Sequence, residues 1–273
     1  MNDVELASSM FNIIQTAHAA EEGISVHLAP TVIGDFFGIA LTSTMLTVWV
    51  SMVVLTILAY FAGRNQKMIP GKFQSLFEII VGGGYDYVKE VLEDEKVAKR
   101  YFPVIMTIFI FILGINWIGL IPGVASIGFY DAQHHFIPLL YPAATDLNVT
   151  IGFAIVAFFT IELAGVLGIG IWKYGGKFIN LKFLRKPNFD NILGFVIGLI
   201  ELISELARLV SFSFRLFGNI FAGKTLLVVA MFFIPYFIPV PIYAYEMFVG
   251  VIQAAVFSIL TLFFIKLALE EPH

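Results

Sequence analysis

Long apolar runs alternate with short polar segments along most of the chain. Five of these runs are long enough to cross a lipid bilayer as a helix, which takes about 20 mostly apolar residues. They cover residues 36–62, 102–122, 149–172, 191–233 and 245–270. This pattern predicts an all-α polytopic membrane protein with about five membrane segments, built as a single membrane domain over residues 1–273.

A different pattern separates the first two runs. Between residues 70 and 95, apolar side chains alternate with polar ones instead of forming a continuous stretch. These side chains are Phe73, Leu76, Phe77, Ile80, Tyr87, Val88 and Leu92. A helix with one apolar and one polar face lies in the membrane interface. We therefore predict one amphipathic surface helix over residues 70–95.

Residues 1–35 are predicted to form a tail outside the membrane. The tripeptide Ala17-His18-Ala19 resembles a signal-peptide cleavage site, but no Lys or Arg precedes it. Asn12 and Gln15 also interrupt the apolar stretch that a signal peptide needs. An uncleaved tail is therefore preferred to a cleaved signal.

The fourth run, 191–233, is too long for an upright span. It contains no proline, and a helix from Ile192 to Phe233 would be about 63 Å long, whereas the apolar layer of a bilayer is about 30 Å thick. Two spans joined by a tight turn would explain the length but would break the pattern of charged loops. We predict one tilted helix that leans on protein and forms a hairpin with the run 245–270.

Composition and charge support a membrane protein and give it an orientation. Hydrophobic residues make up 59% of the chain and charged residues 13%, with a mean hydropathy of +0.90; a soluble domain has roughly a quarter charged residues. Of the 16 Lys and Arg, seven lie between Arg64 and Arg100 and five within 173–186, while 1–63 and 122–148 have none. Because cytoplasmic loops carry the excess of Lys and Arg, we predict an outside N-terminus and a cytoplasmic C-terminus.

Several functions are excluded by what the sequence lacks. There is no cysteine, so disulfides and thiolate chemistry are absent. No basic stripe outside the membrane boundary supports nucleic-acid binding. The phosphate-binding pattern Gly-x-x-x-x-Gly-Lys-Ser/Thr does not occur either.

The long fourth run carries an unusual row of polar residues. At 100° per residue these lie within about 40° of one line on a helix, with Ser204 and Ser211 beside it. The row consists of Glu201, Glu205, Arg208, Arg215 and Asn219. Glu205 and Arg208 are three residues apart and can form an internal salt bridge. Arg215 has no such partner, and a charge at membrane depth usually marks an ion or substrate path, so we expect its counter-charge to come from elsewhere.

Other polar residues lie within the apolar runs. Glu246 and Gln253 are seven residues apart on one face of the last run, and Lys224 could meet Glu246 across the hairpin. Glu162 lies midway through the third run. Lys224, Glu246 and Glu162 form either a buried ion-pair group that orders the bundle or a proton-accessible polar path, and the sequence leaves both interpretations open.

Around Arg215 the chain resembles subunit a of the F-type ATP synthases, the membrane stator beside the rotor ring. The resemblance is specific and extends over nearly the whole chain. It rests on Arg215-Leu216-Phe217-Gly218-Asn219 with Ala222-Gly223, on Pro70-Gly71-Lys72-Phe73-Gln74, on Pro142 to Asp146 with Asn148-Val149-Thr150, and on Gln253-Ala254. The topology of that family also agrees with the predicted one.

The resemblance implies a mechanism for the unpaired arginine. Arg215 would face the carboxylate of each rotor subunit in turn, keep it deprotonated, and block a leak between two offset aqueous half-channels. A nearby positive charge favours the ionised carboxylate, whereas burial away from it favours the protonated form. Other roles follow in the same way: Asn219 and Gln253 line the interface, Glu201 and Ser211 match the inner half-channel, and Lys224 and Glu246 match the outer one.

The resemblance also implies the partners and the setting. The partners would be the rotor ring subunit c, the peripheral stalk subunit b and the lipid bilayer, in a bacterial plasma (inner) membrane. It implies no cofactor and no metal, and ATP chemistry would belong to partner subunits. Whether H⁺ or Na⁺ is the coupling ion stays open. A stand-alone ion-coupled secondary transporter and a purely structural scaffold are the alternatives, although no convincing internal repeat supports a transporter.

The sequence departs from the family pattern at the outer half-channel. Family members often have a glutamate and a histidine at the positions of Lys224 and Glu246, and this chain has lysine in place of one of them. Lys224 would either tune the outer path or neutralise Glu246. Glu162 is not part of the family pattern and is a candidate outer-path carboxylate, while Glu205 is a further candidate on the polar row.

Overall fold

The computed structural model describes residues 31–36, 39–64, 71–130, 136–178 and 189–270. Over these residues the chain forms seven α-helices and two small antiparallel hairpins. The helices are α1 (Ser43–Arg64), α2 (Lys72–Leu92), α3 (Glu95–Leu120), α4 (Leu147–Ile169), α5 (Ile171–Phe178), α6 (Phe189–Phe233) and α7 (Pro239–Leu269). The hairpins pair β1 (Val32–Phe36) with β2 (Ile39–Thr42), and β3 (Gly128–Tyr130) with β4 (Phe136–Pro138).

Four of the described helices are long and apolar enough to cross a membrane, namely α1, α3, α4 and α7. The prediction of an all-α polytopic membrane protein is confirmed. α6 is one uninterrupted helix of 45 residues, about 68 Å long against an apolar layer of about 30 Å. The fourth run is therefore a single helix and not two spans joined by a turn, while its tilt in the membrane stays a prediction.

The run predicted over 36–62 begins as a hairpin and becomes helical later than expected. β1 and β2 are antiparallel, with Val32 opposite Thr42. α1 begins at Ser43, where Thr42 Oγ1 accepts a hydrogen bond from the Met45 backbone N–H over 3.3 Å; such a bond is a helix N-cap. Residues 1–30, most of the predicted outside tail, lie outside the described residues.

The predicted surface helix is α2, and a tight corner joins it to α3. α2 ends at Leu92, and the residue that follows it, Glu93, has a positive φ of 59°. The next residue, Asp94, accepts hydrogen bonds from the backbone N–H groups of Lys96 at 2.7 Å and Val97 at 3.3 Å, which caps α3. The side chain of Lys266 donates to Glu93 over 2.7 Å, so the corner is tied to the last turns of α7.

α7 is the central helix of the bundle, because it contacts α3, α4 and α6. Its residues Ala254 and Phe257 pack in one buried group with Phe212 and Leu216 of α6 and with apolar residues of α3 and α4. The rings of Phe212 and Phe257 have centroids 4.9 Å apart. The predicted C-terminal hairpin is thus a packed pair of helices, joined by the short turn 234–238.

The start of α4 is fixed to α1 through one buried carboxylate. Asp146 caps α4 by accepting the Asn148 N–H over 2.9 Å. It also accepts a hydrogen bond from Thr44 Oγ1 over 2.6 Å. Both Asp146 and Thr44 are buried, so this loop has little freedom to move.

The third run is broken near its end, where the prediction had a continuous span over 149–172. α4 stops before Gly170, whose φ of 95° is readily adopted only by glycine. The chain then folds back as α5, and Tyr174 packs so closely on Gly165 that any side chain at 165 would overlap its ring. This corner buries Tyr174 against α4.

Candidate ion-translocation site

α6 has one face turned into the bundle and one turned out of it. The inward face carries Glu205, Phe212, Ser213, Leu216, Ile220 and Leu227, all buried. The outward face carries Ser211, Arg215, Asn219 and Ala222, all exposed. The outward positions are three or four residues apart, which places them along one side of a helix. The polar row predicted on this helix is therefore divided between two environments.

Arg215 lies on the outward face of α6. Its Nη2 donates a hydrogen bond to Ser211 Oγ over 3.2 Å. Ser211 is neutral, and no carboxylate of the described residues lies within 4.0 Å of the guanidinium. Since arginine stays protonated in proteins, its positive charge is presented on the surface of the chain without a counter-charge from the described part of the chain.

Glu205 and Arg208 form the internal salt bridge that their spacing predicts. Arg208 Nη1 lies 2.6 Å from Glu205 Oε2, and Glu205 is only 5% exposed. The Arg208 guanidinium also stacks over the Phe264 ring of α7, 3.6 Å from its centroid, a favourable cation–π contact. This pair is directed into the bundle, so the structure does not bring Glu205 into line with Arg215.

The remaining residues of the predicted site are spread over both helices of the hairpin. Glu201 is half-buried near the start of α6, and Asn219 is exposed one turn beyond Arg215. Gln253 is buried on α7, beside Ala254, which packs in the same group as Leu216. Among the described residues Arg215 makes its hydrogen bond to Ser211 and none to Gln253.

Lys224 and Glu246 come close to each other without pairing. Glu246 is 2% exposed, and its carboxyl group lies against Gly223, where any side chain would overlap it. Lys224 Nζ is buried without a hydrogen-bond partner in the described structure and lies 2.9 Å from the centroid of the Tyr141 ring. The expected contact between Lys224 and Glu246 is therefore replaced by a contact between Lys224 and Tyr141.

Glu162 lies at the opposite end of the bundle from Lys224. Tyr174 of α5 is within electrostatic reach of Glu162, Glu205 and Arg208. Glu205 and Lys224 are separated by about 28 Å along α6. The structure thus groups Glu162 with the Glu205–Arg208 pair, and its role as an outer-path carboxylate stays a prediction.

Three residues that were given no role from the sequence shape the region around Glu246. Gly223 makes room for the carboxyl group, and Tyr141 receives Lys224. Asn116 of α3 is buried, and its Nδ2 donates to the Gly250 carbonyl over 3.4 Å. Asn116 could have been found from the sequence, because it is a polar residue within the apolar run 102–122. Nothing in the sequence indicated that the ring of Tyr141 would contact Lys224.

Tyr141, in the loop between α3 and α4, is the tyrosine whose protonation state bears on this region. Burial raises the pKa of the Tyr141 hydroxyl, because a phenolate loses its hydration there, so Tyr141 is neutral at physiological pH. No three His, Asp or Glu side chains of the described residues are grouped as metal ligands. The acidic and basic side chains that α6 and α7 bring to this region are Glu246 and Lys224.

The fold and these charges define a multi-pass helical membrane protein with an arginine held on the outside of a very long helix. The family model described as ATP synthase A chain matches residues 45–266, most of the chain. The chain belongs to this family.

Individual relatives carry names that agree with the family. The chain is 33% identical over 227 residues to ATP synthase subunit a 3 of Pelobacter propionicus, over 82% of this chain and 86% of the relative. It is 30% identical over 225 residues to ATP synthase subunit a of Geotalea daltonii, with the same two coverages. It is 32% identical over 223 residues to ATP synthase subunit a of Campylobacter jejuni, over 81% and 88%.

Membership of this family settles the general role. The chain is a multi-pass membrane subunit of the F-type ATP synthase complex, with the role of membrane stator in ATP synthesis and ion transport. A stand-alone transporter is not favoured by these relatives.

Proposed function

We propose that Arg215 faces the carboxylate of each subunit c of the rotor ring in turn and separates two offset ion half-channels. The observation that carries this proposal is that Arg215 is exposed on α6 and hydrogen-bonded to the neutral Ser211. Arg208, seven residues away, has a carboxylate partner in the chain. A guanidinium at membrane depth needs a counter-charge, and a passing rotor carboxylate supplies one that changes as the ring turns.

The arginine acts through opposed electrostatic effects on the rotor carboxylate. Next to Arg215 the ionised form is favoured, so the carboxylate releases its ion; away from the arginine and inside the lipid, the neutral form is favoured. A positive charge between the two paths also repels a cation that would pass directly between them. Rotation is therefore required for the ion to cross the membrane.

The two paths are assigned to opposite ends of α6. Glu201 and Ser211 are proposed to line the inner half-channel, with Asn219 and Gln253 at the rotor interface. Glu246 and Lys224 are proposed to line the outer half-channel. The burial of Glu246 beside Gly223 supports this assignment, because a buried carboxyl without a salt bridge can take up and release protons.

The wider setting follows from the same proposal. The chain itself catalyses no ATP chemistry and works with the rotor ring subunit c and the peripheral stalk subunit b. The N-terminus lies outside and the C-terminus in the cytoplasm of a bacterial inner membrane. The excess of Lys and Arg between Arg64 and Arg100 supports this orientation.

Replacement of Arg215 by alanine tests the proposal in the assembled ATP synthase. We expect Arg215→Ala to abolish proton-driven ATP synthesis, because the rotor carboxylate no longer meets a positive charge. The measurement is ATP synthesis in reconstituted vesicles, with the amount of this chain in the purified complex as the assembly control. Arg215→Lys tests whether positive charge alone suffices. Normal coupled synthesis by fully assembled Arg215→Ala complex would contradict the proposal.

A further inference from the structure

Lys224 and Glu246 lie at the same end of the α6–α7 hairpin, but their functional groups have different neighbours. The Glu246 carboxyl packs against Gly223, the residue just before the lysine. Lys224 Nζ instead lies over the face of the Tyr141 ring. In the described structure no ion pair joins the two side chains, although the long flexible stem of lysine allows several positions of its ammonium group.

The backbone of the loop that carries Tyr141 is held in place by α1 and α3. Its backbone N–H donates a hydrogen bond to Thr47 Oγ1 of α1 over 3.0 Å, and Thr47 is fully buried. The next residue, Pro142, packs on α3 so closely that a side chain at Gly119 would lie 2.9 Å from its Cα atom. The loop that carries the ring is thus fixed on α1 and α3, and the short turn that follows it, Ala143–Thr145, also packs against α6.

We propose that Tyr141 is a positioning residue that holds the Lys224 ammonium away from Glu246 and so keeps that carboxyl available for proton exchange with the outside. The negative face of an aromatic ring attracts an ammonium group, most strongly where water is excluded. The ring offers Lys224 a favourable site that leaves Glu246 without a salt bridge. This inference rests on the proposed function, in which Glu246 belongs to the outer half-channel.

Few other charges act on this site. The loop before α4 adds Asp146, whose oxygens accept from Thr44 and Asn148. The described parts of α1 and α3 packed here offer neutral side chains, among them Asn116 and Trp117. The first turns of α7 add the phenols of Tyr243 and Tyr245. Among the described residues, Lys224 is the basic side chain directly beside Gly223, against which the Glu246 carboxyl packs.

The proposal predicts what happens when the ring is removed. In Tyr141→Leu the ammonium loses its site and pairs with Glu246. A carboxylate in contact with an ammonium binds a proton only at lower pH, by about one unit or more. Proton entry from the outside then needs a more acidic outer solution, while the maximal rate at low outer pH is retained.

The experiment uses the assembled ATP synthase in vesicles, with the driving force held constant while the outer pH is varied. We expect Tyr141→Leu to move the outer pH of half-maximal ATP synthesis about one unit towards acid. Adding Tyr141→Leu to Lys224→Gln should cause no further shift, because no ammonium remains to be released. Tyr236→Leu, at a residue 93% exposed in the α6–α7 turn, is the matched control for loss of a tyrosine.

Near-isosteric variants cover the case in which Tyr141→Leu does not assemble. Phenylalanine at 141 keeps the ring and should keep the outer-pH profile, while increasing fluorination of that ring weakens its negative face and should shift the profile stepwise. The proposal is overturned if fluorination leaves the profile in place, or if Tyr141→Leu causes the same shift with and without Lys224. Loss of ATP synthesis at every outer pH is the result expected for Arg215→Ala. That result concerns the proposed function of Arg215 and not the position of the Lys224 ammonium.

Discussion

The two faces of α6 place the same chemistry in opposite situations. Arg208, whose side chain is directed into the bundle, has a carboxylate 2.6 Å away and an aromatic ring beneath its guanidinium. On the outward face, Arg215 is two turns further along the same helix and has only a serine hydroxyl as its hydrogen-bond partner among the described residues. An arginine within a membrane segment therefore indicates a functional site when no carboxylate of its own chain compensates its charge. Its presence in the segment is not sufficient.

The largest effect is expected from breaking the inward pair. Arg208→Leu leaves the buried Glu205 carboxylate without its partner, which costs about 3–5 kcal/mol for a buried pair. We expect less of the chain in the assembled complex and a lower thermal stability of what assembles. The measurement is the yield and melting temperature of the purified complex.

A second variant makes this prediction specific. Arg208→Leu combined with Glu205→Leu removes both charges, and an apolar replacement of a buried pair is often neutral. Yield and stability should therefore recover in the double variant. If Arg208→Leu instead leaves stability intact and abolishes coupling, the two faces of α6 do not differ in the way described.

A smaller effect is expected from Gly223→Ala, at the far end of the inward face. The added methyl group occupies the space of the Glu246 carboxyl, which must move because it is the more flexible of the two. We expect a severalfold lower rate of ATP synthesis with normal assembly. Gly152→Ala on α4 is the matched control, since a methyl group there meets no atom within 4 Å outside its own helix backbone and chain neighbours. Equal rates in both variants would count against a role for the position of Glu246.

The smallest effect is expected from a salt bridge outside the bundle. Hydrogen bonding and the charge of Lys266 lower the pKa of Glu93 below its ordinary value. The stabilisation is therefore present above the ordinary pKa of a glutamate and is lost as the pH falls through the lowered one. Because Glu93 is exposed, screening by water keeps the effect slight. The difference in melting temperature between the native chain and Glu93→Gln should shrink in acid and in high salt; a difference that grows in acid would refute the assignment.

The sequence predicted the architecture well because the membrane simplifies it. Runs of apolar residues indicate membrane spans directly. The helix α6 was predicted as one helix because it lacks proline and because two spans would break the pattern of charged loops. Arg215 was recognised because no carboxylate lies at helical spacing from it. Each of these predictions uses the residues of a single helix, so it does not require knowledge of how the helices pack.

What the sequence left out depends on contacts between distant segments. Arg208 and Arg215 are seven residues apart and so lie within about 20° of one line on the helix. Arg208 is nevertheless directed into the bundle, because its guanidinium contacts Glu205 and the Phe264 ring of α7, and the second of these contacts depends on the position of α7. Lys224 was expected near Glu246 because the helices are antiparallel, but the loop carrying Tyr141 competes for it. The hairpin before Ser43 was missed because its apolar residues read as the start of a span.

The hydroxyl groups of α1 have a consequence for how the protein is made. Thr47 and Ser51 bond to carbonyls of their own helix, over 3.0 and 2.7 Å, so α1 can enter the lipid during synthesis with these groups already satisfied. Thr44 differs, because its partner Asp146 is 102 residues further along the chain. The arrival of Asp146 at the bilayer therefore completes a bond that holds the earlier helix in place, and the order of synthesis becomes part of the assembly of the bundle.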